Sequence, residues 1–275
     1  IPSENIGEVL NQGIDACVNW NDKVGEDFTY NLGLNITFTK NKLRKTNELS
    51  NIEDYRKSIG QPTSAIFGWQ SQGLFGKDVA IAGHPFQSFG NYQVGDIAYA
   101  DLNNDGMVDN NDQTRIGQSF PKTTLGVDVT LNYKGFGLYI LGTATTGVTQ
   151  MLTSTYYWNK GLDGYSVLAE DRYHPVNNPT GTQPRLTTTS GVNNYRNSTF
   201  WTKNGSFFRL KNVELSYTLN NNSKKGIGKN YKFFVRGANL FVLSGIKELD
   251  PEQMLADISN YPVYRTITGG VSINF

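Results

Sequence analysis

The chain has 275 residues, and its 25 basic and 24 acidic side chains leave a formal net charge of +1. This balance, with no block of like charge, excludes the electrostatic footprint of a nucleic-acid-binding protein. Charged residues make up only 18% of the chain, whereas Tyr and Phe number 15 each and Gly 29. Aromatic residues favour strands and glycine favours turns, so the composition predicts an all-β fold.

The sequence has no run of the roughly 18–20 continuous apolar residues that a transmembrane helix needs. Strands of a membrane barrel carry alternating hydrophobicity, so this observation leaves a barrel open. The lone cysteine, Cys17, cannot form an internal disulfide and is predicted to be a small strand residue. Because the chain starts Ile1-Pro2 without Met or a signal peptide, we expect a mature protein or a fragment of a longer one.

Period-two alternation is the clearest signal along the chain. From Phe28 to Phe38 every even position is apolar, and the positions between them are Thr, Asn or Gly. This pattern predicts a strand with one apolar and one polar face, and about 11 residues is near the length that a tilted strand needs to cross a bilayer. Similar alternation covers 14–20, 124–133, 212–219 and 263–275.

The connections between these segments are of two kinds. Asn21–Asp27 and Lys134-Gly135 are short enough to turn hairpins, whereas residues 41–121 and 148–205 are long, polar and without sustained alternation. Short turns at one end and long loops at the other are typical of an antiparallel transmembrane β-barrel, here with about eight to ten strands. A soluble β-sandwich is the alternative, but its strands usually have only about 5–6 residues.

One loop has the spacing of a calcium site. Oxygen donors fall at positions 1, 3, 5, 9 and 12 of a twelve-residue segment, a backbone carbonyl falls at position 7, and Gly106 permits the sharp turn at position 6. The predicted ligands of calcium (or magnesium) are Asp101, Asn103, Asp105, Met107, Asp109 and Asp112. The alternative is an Asn/Asp-rich turn without an ion. A bound ion would be structural, because no flanking EF-hand helix pattern accompanies the loop.

No catalytic constellation is evident, so we expect no enzyme activity. The two histidines, His84 and His174, each precede a proline and have no Cys/His cluster nearby. Among the aromatic residues of the long loops, Tyr156, Tyr157 and Trp158 form the cluster best suited to contact a substrate or a covering lid. Packing within the folded loops is the alternative role for these three side chains.

Several blocks of the chain resemble the SusC/RagA family of TonB-dependent outer-membrane transporters, in the order in which that family has them. The blocks are Asn5-Ile6-Gly7 with Asn11-Gln12-Gly13, Gly95–Gly106 with Asp109, Asp112, Ile116-Gly117 and Pro121, Phe200-Trp201 with Gly205–Val213, Arg236–Phe241, and Tyr261–Arg265 with Gly270–Phe275. The resemblance covers essentially the whole chain.

The resemblance implies that residues 1–275 are the C-terminal portion of one barrel of about 22 strands, with long extracellular loops, in the Gram-negative outer membrane. The plug and the N-terminal strands would belong to an accompanying portion of the transporter. The implied partners are a SusD-like lipoprotein, TonB acting through the plug, membrane lipid and the barrel-assembly machinery, which would read the terminal Phe275. The implied function is uptake of glycans, oligosaccharides or peptides.

Two other functions stay open from the residues. A soluble, calcium-stabilised carbohydrate-binding β-module would explain the metal loop, and an outer-membrane enzyme would need a catalytic group that the sequence does not show. The long alternating strands and the terminal Phe275 favour the transporter.

Overall fold

Seven long antiparallel strands form the main sheet of the chain, which a computed structural model describes over residues 6–161, 164–187, 193–220, 230–252, 261 and 263–274. The strands of the described residues are β1 (Glu8–Val24), β2 (Phe28–Lys45), β3 (Ala65–Gly68), β4 (Ser71–Leu74), β5 (Phe86–Gln87), β6 (Ile97–Tyr99), β7 (Met107–Val108), β8 (Thr114–Gln118), β9 (Thr123–Tyr133), β10 (Phe136–Thr146), β11 (Thr149–Met151), β12 (Thr202–Asn204), β13 (Phe207–Asn220), β14 (Asn230–Ser244) and β15 (Thr266–Asn274). Short 3₁₀ helices occupy Asp54–Arg56, Asn110–Asp112, Val167–Asp171 and Thr199–Trp201. The predicted all-β class is confirmed.

The main sheet has the order β1-β2-β9-β10-β13-β14-β15, and every strand is antiparallel to its neighbours. Val18 lies opposite Leu34, which in turn lies opposite Val127. Because successive side chains of a strand point to opposite faces, this register collects the alternating hydrophobic residues on one face of the sheet. We call it the apolar face, and its large exposed members include Ile14, Val18, Leu32, Leu34, Ile36, Phe38, Leu215, Val235, Ile267 and Val271.

The two short turns that the structure describes lie at one end of the sheet. Gly25–Asp27 joins β1 to β2, and Lys134 and Gly135, with φ of +46° and +87°, join β9 to β10. Two successive positive φ values give the turn whose twist matches that of the flanking strands. The long connections, 46–122, 147–206 and 245–265, start and finish at the opposite end, which we call the loop end.

The buried hydrophobic core lies in these loops rather than in the main sheet. Its members include Trp69, Leu74, Phe89, Ile97, Tyr99, Val108, Leu152, Tyr157, Tyr173 and Trp201. Four short strand pairs, β3–β8, β4–β6, β5–β7 and β11–β12, give the loops a regular backbone around it. The described parts of the loops at 46–122 and 147–206 are therefore folded together into one packed body, the loop assembly.

Buried amides connect the two loops within this assembly. Nε2 of Gln87 donates to Oδ1 of Asn193 at 2.6 Å, and Nδ2 of Asn194 donates to Oδ1 of Asp96 at 2.8 Å. The backbone N–H of Ile97 in turn donates to Oδ1 of Asn194 at 2.9 Å. Buried polar groups of this kind are costly unless they are paired, so the network specifies one arrangement of the two loops.

The alternating segments become strands as predicted, with two differences. The main sheet has seven strands within the described ranges, where about eight to ten were expected, because the remaining strands are pairs of two to five residues inside the loops. The strand that begins at Phe28 also continues through the predicted loop start to Lys45. Phe275 lies outside the described residues. No helix in the described ranges is long and apolar enough to cross a bilayer.

Candidate functional site

The second face of the main sheet, the polar face, carries a charged cluster around Glu214 of β13. Nζ of Lys232 lies 2.6 Å from Oε1 of Glu214, and Nε of Arg236 lies 2.8 Å from Oε2. Nearer the other edge, Oγ1 of Thr37 donates to Oδ1 of Asp15 at 2.9 Å and so joins β2 to β1. A hydrophilic face directly behind an exposed apolar face is the arrangement of a wall between lipid and an aqueous passage.

A second set of ion pairs fastens the loop after β14 to β13. Arg209 is almost completely buried, and its Nη2 lies 2.6 Å from Oδ1 of Asp250. Nζ of Lys211 lies 2.7 Å from Oε1 of Glu252. These partners are about 40 residues apart in the chain, and no motif in the sequence joins them. The pairs hold the loop that follows β14 against the loop end of the sheet.

Burial among aromatic rings shifts the pKa values of several side chains in the loop assembly. Burial raises the pKa of the Tyr99 phenol, which donates to the carbonyl of Asn193 at 2.8 Å. Burial also raises the pKa of Tyr195 to about 12 and lowers the pKa of Arg196, whose guanidinium carbon lies 3.9 Å from the centre of the Phe89 ring. The raised pKa values mean that both phenols stay neutral at physiological pH, as is usual for tyrosines in a packed core.

The predicted metal loop is folded as a compact turn held by its own carboxylates. Oδ1 of Asp101 accepts from the backbone N–H of Asn104 at 2.7 Å, and Oδ2 accepts from Gly106 at 2.9 Å. Oδ1 of Asp105 accepts from the N–H of Met107 at 2.9 Å. Gly106 has a φ of +85°, as expected for the sharp turn at position 6.

The last predicted ligand, Asp112, closes this turn. Its side chain is fully buried, and its two oxygens accept from the backbone N–H groups of Leu102 at 2.7 Å and Asp109 at 2.8 Å. Among the described residues, no three His, Cys, Asp or Glu side chains converge as a metal site would require. The amide oxygen of Asn103 and the carbonyl of Met107 are ligand types outside that set. Metal binding at this loop therefore stays a prediction.

The aromatic cluster predicted to contact a substrate or lid is only partly accessible. Tyr157 belongs to the buried core, and its hydroxyl lies 3.4 Å from Oε2 of Glu248. Tyr156 and Trp158 are half-buried and pack against that core, and the Trp158 ring lies 5.7 Å from Tyr195. The structure favours packing as the role of Tyr157. A ligand contact through Tyr156 or Trp158 stays a prediction.

A cationic cavity lies where the loop assembly meets the sheet. It has a volume of about 420 Å³ and is lined by Arg115, Lys122 and Lys203 together with neutral residues. Among the described residues, the guanidinium of Arg115 donates to neutral oxygens, at 2.9 Å to Oε1 of Gln61 and 2.9 Å to Oε1 of Gln118. Nζ of Lys203 lies 3.6 Å from Oε1 of Glu248. Lys203 is far from Arg115 and Lys122 in the sequence, so no local motif brings the three basic residues together. The cavity is a candidate binding place for a polar ligand.

Comparisons with known proteins find that this chain is similar to parts of proteins named TonB-dependent receptors. No family model matches it. It is 26% identical over 298 residues to "TonB-dependent receptor P26" of Formosa agariphila, with 99% of this chain and 30% of that protein covered. It is 25% identical over 285 residues to "TonB-dependent receptor SusC" of Bacteroides thetaiotaomicron, with 99% of this chain and 27% of that protein covered. The chain thus spans less than a third of the length of these relatives.

Solved structures agree on the fold. The chain superposes on "Structure of the RagAB peptide transporter" with a TM-score of 0.73 at 18% identity, over 98% of this chain and 30% of that one. The "closed-closed" state of the RagAB peptide importer gives a TM-score of 0.72 at 19% identity, over 98% and 30%. The resemblance to the SusC/RagA family, first seen in the sequence blocks, is confirmed.

Proposed function

We propose that this chain forms part of the wall and the extracellular loops of a TonB-dependent outer-membrane importer. The observation that carries the proposal is the seven-stranded antiparallel sheet with an exposed apolar face and a hydrophilic face behind it. The substrates proposed are glycans, oligosaccharides or peptides, taken up together with a SusD-like lipoprotein. The similarity to proteins named TonB-dependent receptor and RagAB peptide transporter supports this function over catalysis.

The exposed hydrophobic residues are the physical reason for a membrane location. On the apolar face, Ile14 is 68% and Ile267 73% exposed, although the two lie near opposite edges of the sheet. A continuous apolar surface on this scale is unfavourable in water, whereas hydrocarbon accommodates it without cost. The alternation of lipid-facing and passage-facing residues is the pattern of a membrane barrel.

The open edges of the sheet support a larger barrel. Within the part of the chain that the structure describes, β1 and β15 each have one neighbouring strand in the main sheet, so the outer edge of each has no strand partner there. Lipid cannot hydrogen-bond the backbone groups of an open edge, and closed barrels alone satisfy them. We therefore propose that further strands of the same transporter pair with both edges and that an accompanying plug carries the coupling to TonB.

In this proposal the regions of the chain have separate roles. The polar face around Glu214 borders the passage, and the loop assembly forms part of the extracellular mouth. Substrate would be held between lid and plug until TonB pulls on the plug. The rigid packing of the loops by residues such as Tyr99 and Asn194 gives a lid a constant surface to meet.

Native electrophoresis with mass spectrometry on detergent-extracted outer membranes tests this function. We expect the chain to migrate with a plug-bearing polypeptide and a lipoprotein. Recovery of the chain alone in the aqueous fraction would contradict the proposal and leave a soluble, calcium-stabilised β-module as the working model.

We also propose that the loop 101–112 binds calcium, or magnesium, in a structural role. Support comes from the ligand spacing and from Gly106 in the conformation that this spacing requires. The double substitution Asp101→Ala with Asp105→Ala should abolish bound metal, measured by elemental mass spectrometry of the purified protein. Metal content equal to that of the unsubstituted protein would show that the loop is only an Asx-rich turn.

A further inference from the structure

Strand β2 carries three basic residues in line with its apolar band. Lys40 and Lys42 follow Phe38 at alternate positions in unbroken register with β1, so they lie on the same face of the sheet as the lipid-facing residues. Arg44 follows at a register irregularity, where its side chain meets that of Glu8 of β1. All three side chains are exposed. We call them the basic stripe. It extends about 13 Å along the strand, given about 3.3 Å per residue, and lies at the loop end.

The backbone beneath the stripe is held in place. On the opposite face of the strand, Oδ1 of Asn41 accepts from the N–H of Thr63 at 2.7 Å. The N–H of Leu43 donates to the carbonyl of Gln61 at 2.8 Å, and the N–H of Gly60 donates to the carbonyl of Leu43 at 2.8 Å. Since the alternate residues are fastened to the loop assembly, the strand cannot rotate, and the basic side chains stay on the outward face.

The charge of the stripe is largely uncompensated. Nη1 of Arg44 lies 3.2 Å from Oε1 of Glu8, in a pair whose side chains are both more than half exposed. Within the described residues, no carboxylate lies within ion-pair distance of Lys40 or Lys42. A pair exposed to this degree contributes little, so the stripe presents two to three positive charges to its surroundings.

The stripe is local to β2 rather than a ring around the sheet. At the loop end of β14 the same face carries Phe241 and Leu243, which are apolar and exposed. β2 lies between β1 and β9, so strands added at the edge of the sheet would pair with β1 and leave the outward face of β2 uncovered. The stripe is therefore a surface open to whatever surrounds the barrel at this height.

We propose that the basic stripe binds the phosphate groups of phosphorylated glycolipid headgroups in the leaflet at the loop end. The inference rests on the proposed function, because that function puts the apolar face in hydrocarbon. The stripe adjoins the apolar face, which favours a lipid over a free anion. The acyl chains would lie against Leu34, Ile36 and Phe38, and the phosphates would meet the ammonium groups of the lysines directly above. Lysine suits this height, since its aliphatic stem packs on apolar surface while its charge reaches the headgroups.

Lipid binding to the intact transporter in detergent, read by native mass spectrometry, tests the proposal. The probes are diphosphorylated lipid A, the same lipid with its phosphates removed, and inorganic phosphate alone. Lys40→Gln with Lys42→Gln should weaken binding of the phosphorylated lipid roughly tenfold. Lys40→Arg with Lys42→Arg should preserve it. The control, Lys23→Gln with Lys247→Gln, removes the same charge from two exposed lysines remote from the stripe and should bind as the unsubstituted protein does.

Three results would overturn the proposal. The Gln variant could bind lipid A as tightly as the control, the dephosphorylated lipid could bind equally well, or inorganic phosphate alone could displace lipid A completely and mark a free-anion site. Failure of the proposed function looks different, because then no variant, including the control, would retain any lipid. Unchanged gel mobility of the folded variants before heating shows that the barrel has assembled in each case.

Discussion

The main sheet exposes large hydrophobic side chains, whereas the loop assembly buries them. In the sheet, Val18 and Leu215 are each 57% exposed, whereas in the loops Tyr99 is completely buried and Trp201 is 2% exposed. Most chains would bury the residues of long regular strands and expose those of loops. The proposed function explains this inversion, because it gives the two regions different solvents: lipid for the sheet and water for the loops.

Polar residues follow the same division. Apart from the basic stripe at the loop end, the central part of the sheet keeps charges such as Glu214 on the face that is turned away from the hydrophobic residues. The loops bury amides such as Gln87 and Asn194 among aromatic rings and satisfy each with a partner. A type of substitution that lowers the free energy of unfolding strongly in one region should therefore lower it only slightly in the other. The predictions below test that difference.

The largest effect is expected from opening the core of the loop assembly. Trp201→Ala removes an indole that stacks on Tyr195 and donates from Nε1 to the carbonyl of Asn194 at 2.7 Å. Loss of a buried Trp costs about 3–5 kcal/mol, and we expect limited proteolysis to cut both long loops while the barrel stays assembled. Leu215→Ala on the apolar face is the control and should leave the cleavage pattern unchanged. Equal resistance in both variants would mean that the loops have no common core.

A charge on the apolar face should give the next largest effect. Leu34→Arg puts a guanidinium near the middle of the lipid-facing band of β2, which costs about 2–4 kcal/mol in a membrane barrel. The matched control is the neighbouring Asn35→Arg, which points to the polar face. Urea titration of the protein refolded in lipid vesicles measures the difference. If the two variants unfold at the same urea concentration, the assignment of the faces is wrong.

A smaller loss is expected from the buried amide network. Asn194→Ala removes the acceptor of the Ile97 N–H and the donor to Asp96, and unpaired buried groups cost about 1–3 kcal/mol. Hydrogen exchange should show faster exchange in both long loops, because the two loops meet at this residue. The exposed Asn47→Ala is the control. Exchange confined to one loop would contradict a shared network.

The sequence allowed the sheet to be predicted better than the loops, for a physical reason. The strand that begins at Phe28 could be predicted because its apolar and polar residues alternate, so the type of each residue indicates the face of the sheet on which it lies. The loop core depends on contacts such as Gln87 with Asn193, which are 106 residues apart and have no periodicity. The last part of β2 also has a partner that local alternation does not reveal, because the backbone of Leu43 hydrogen-bonds to Gln61 and Gly60 of the first long loop.

The candidate sites divide in the same way. The metal loop could be proposed from spacing because all its donors lie within twelve residues. The cluster Tyr156, Tyr157 and Trp158 was recognised by its composition, but composition does not say which ring is buried, and Tyr157 proves to be a core residue. The cationic cavity at Arg115 and the ion pair of Arg209 join distant segments and could not be found from the sequence.

The smallest expected effect concerns acid opening of the first long loop. The Glu48 carboxylate accepts from both the backbone N–H and the hydroxyl of Ser58 at 2.6 Å, and the hydroxyl bond is the main cause that lowers the pKa of Glu48. A carboxyl whose pKa is lowered by folding stabilises the folded form above its ordinary pKa, near 4.5, and loses this contribution as the pH falls through the lowered value.

Hydrogen exchange of residues 48–59, corrected for the intrinsic rate, should therefore increase below about pH 4.5 in the unsubstituted protein. Ser58→Ala removes the main cause of the shift and should make this increase smaller, because the carboxyl then titrates nearer its ordinary pKa in both states. In Glu48→Gln the segment should exchange faster at neutral pH and show little further change on acidification. If the Gln variant opens with acid as the unsubstituted protein does, another group controls this loop, and the contact with Ser58 does not hold it closed.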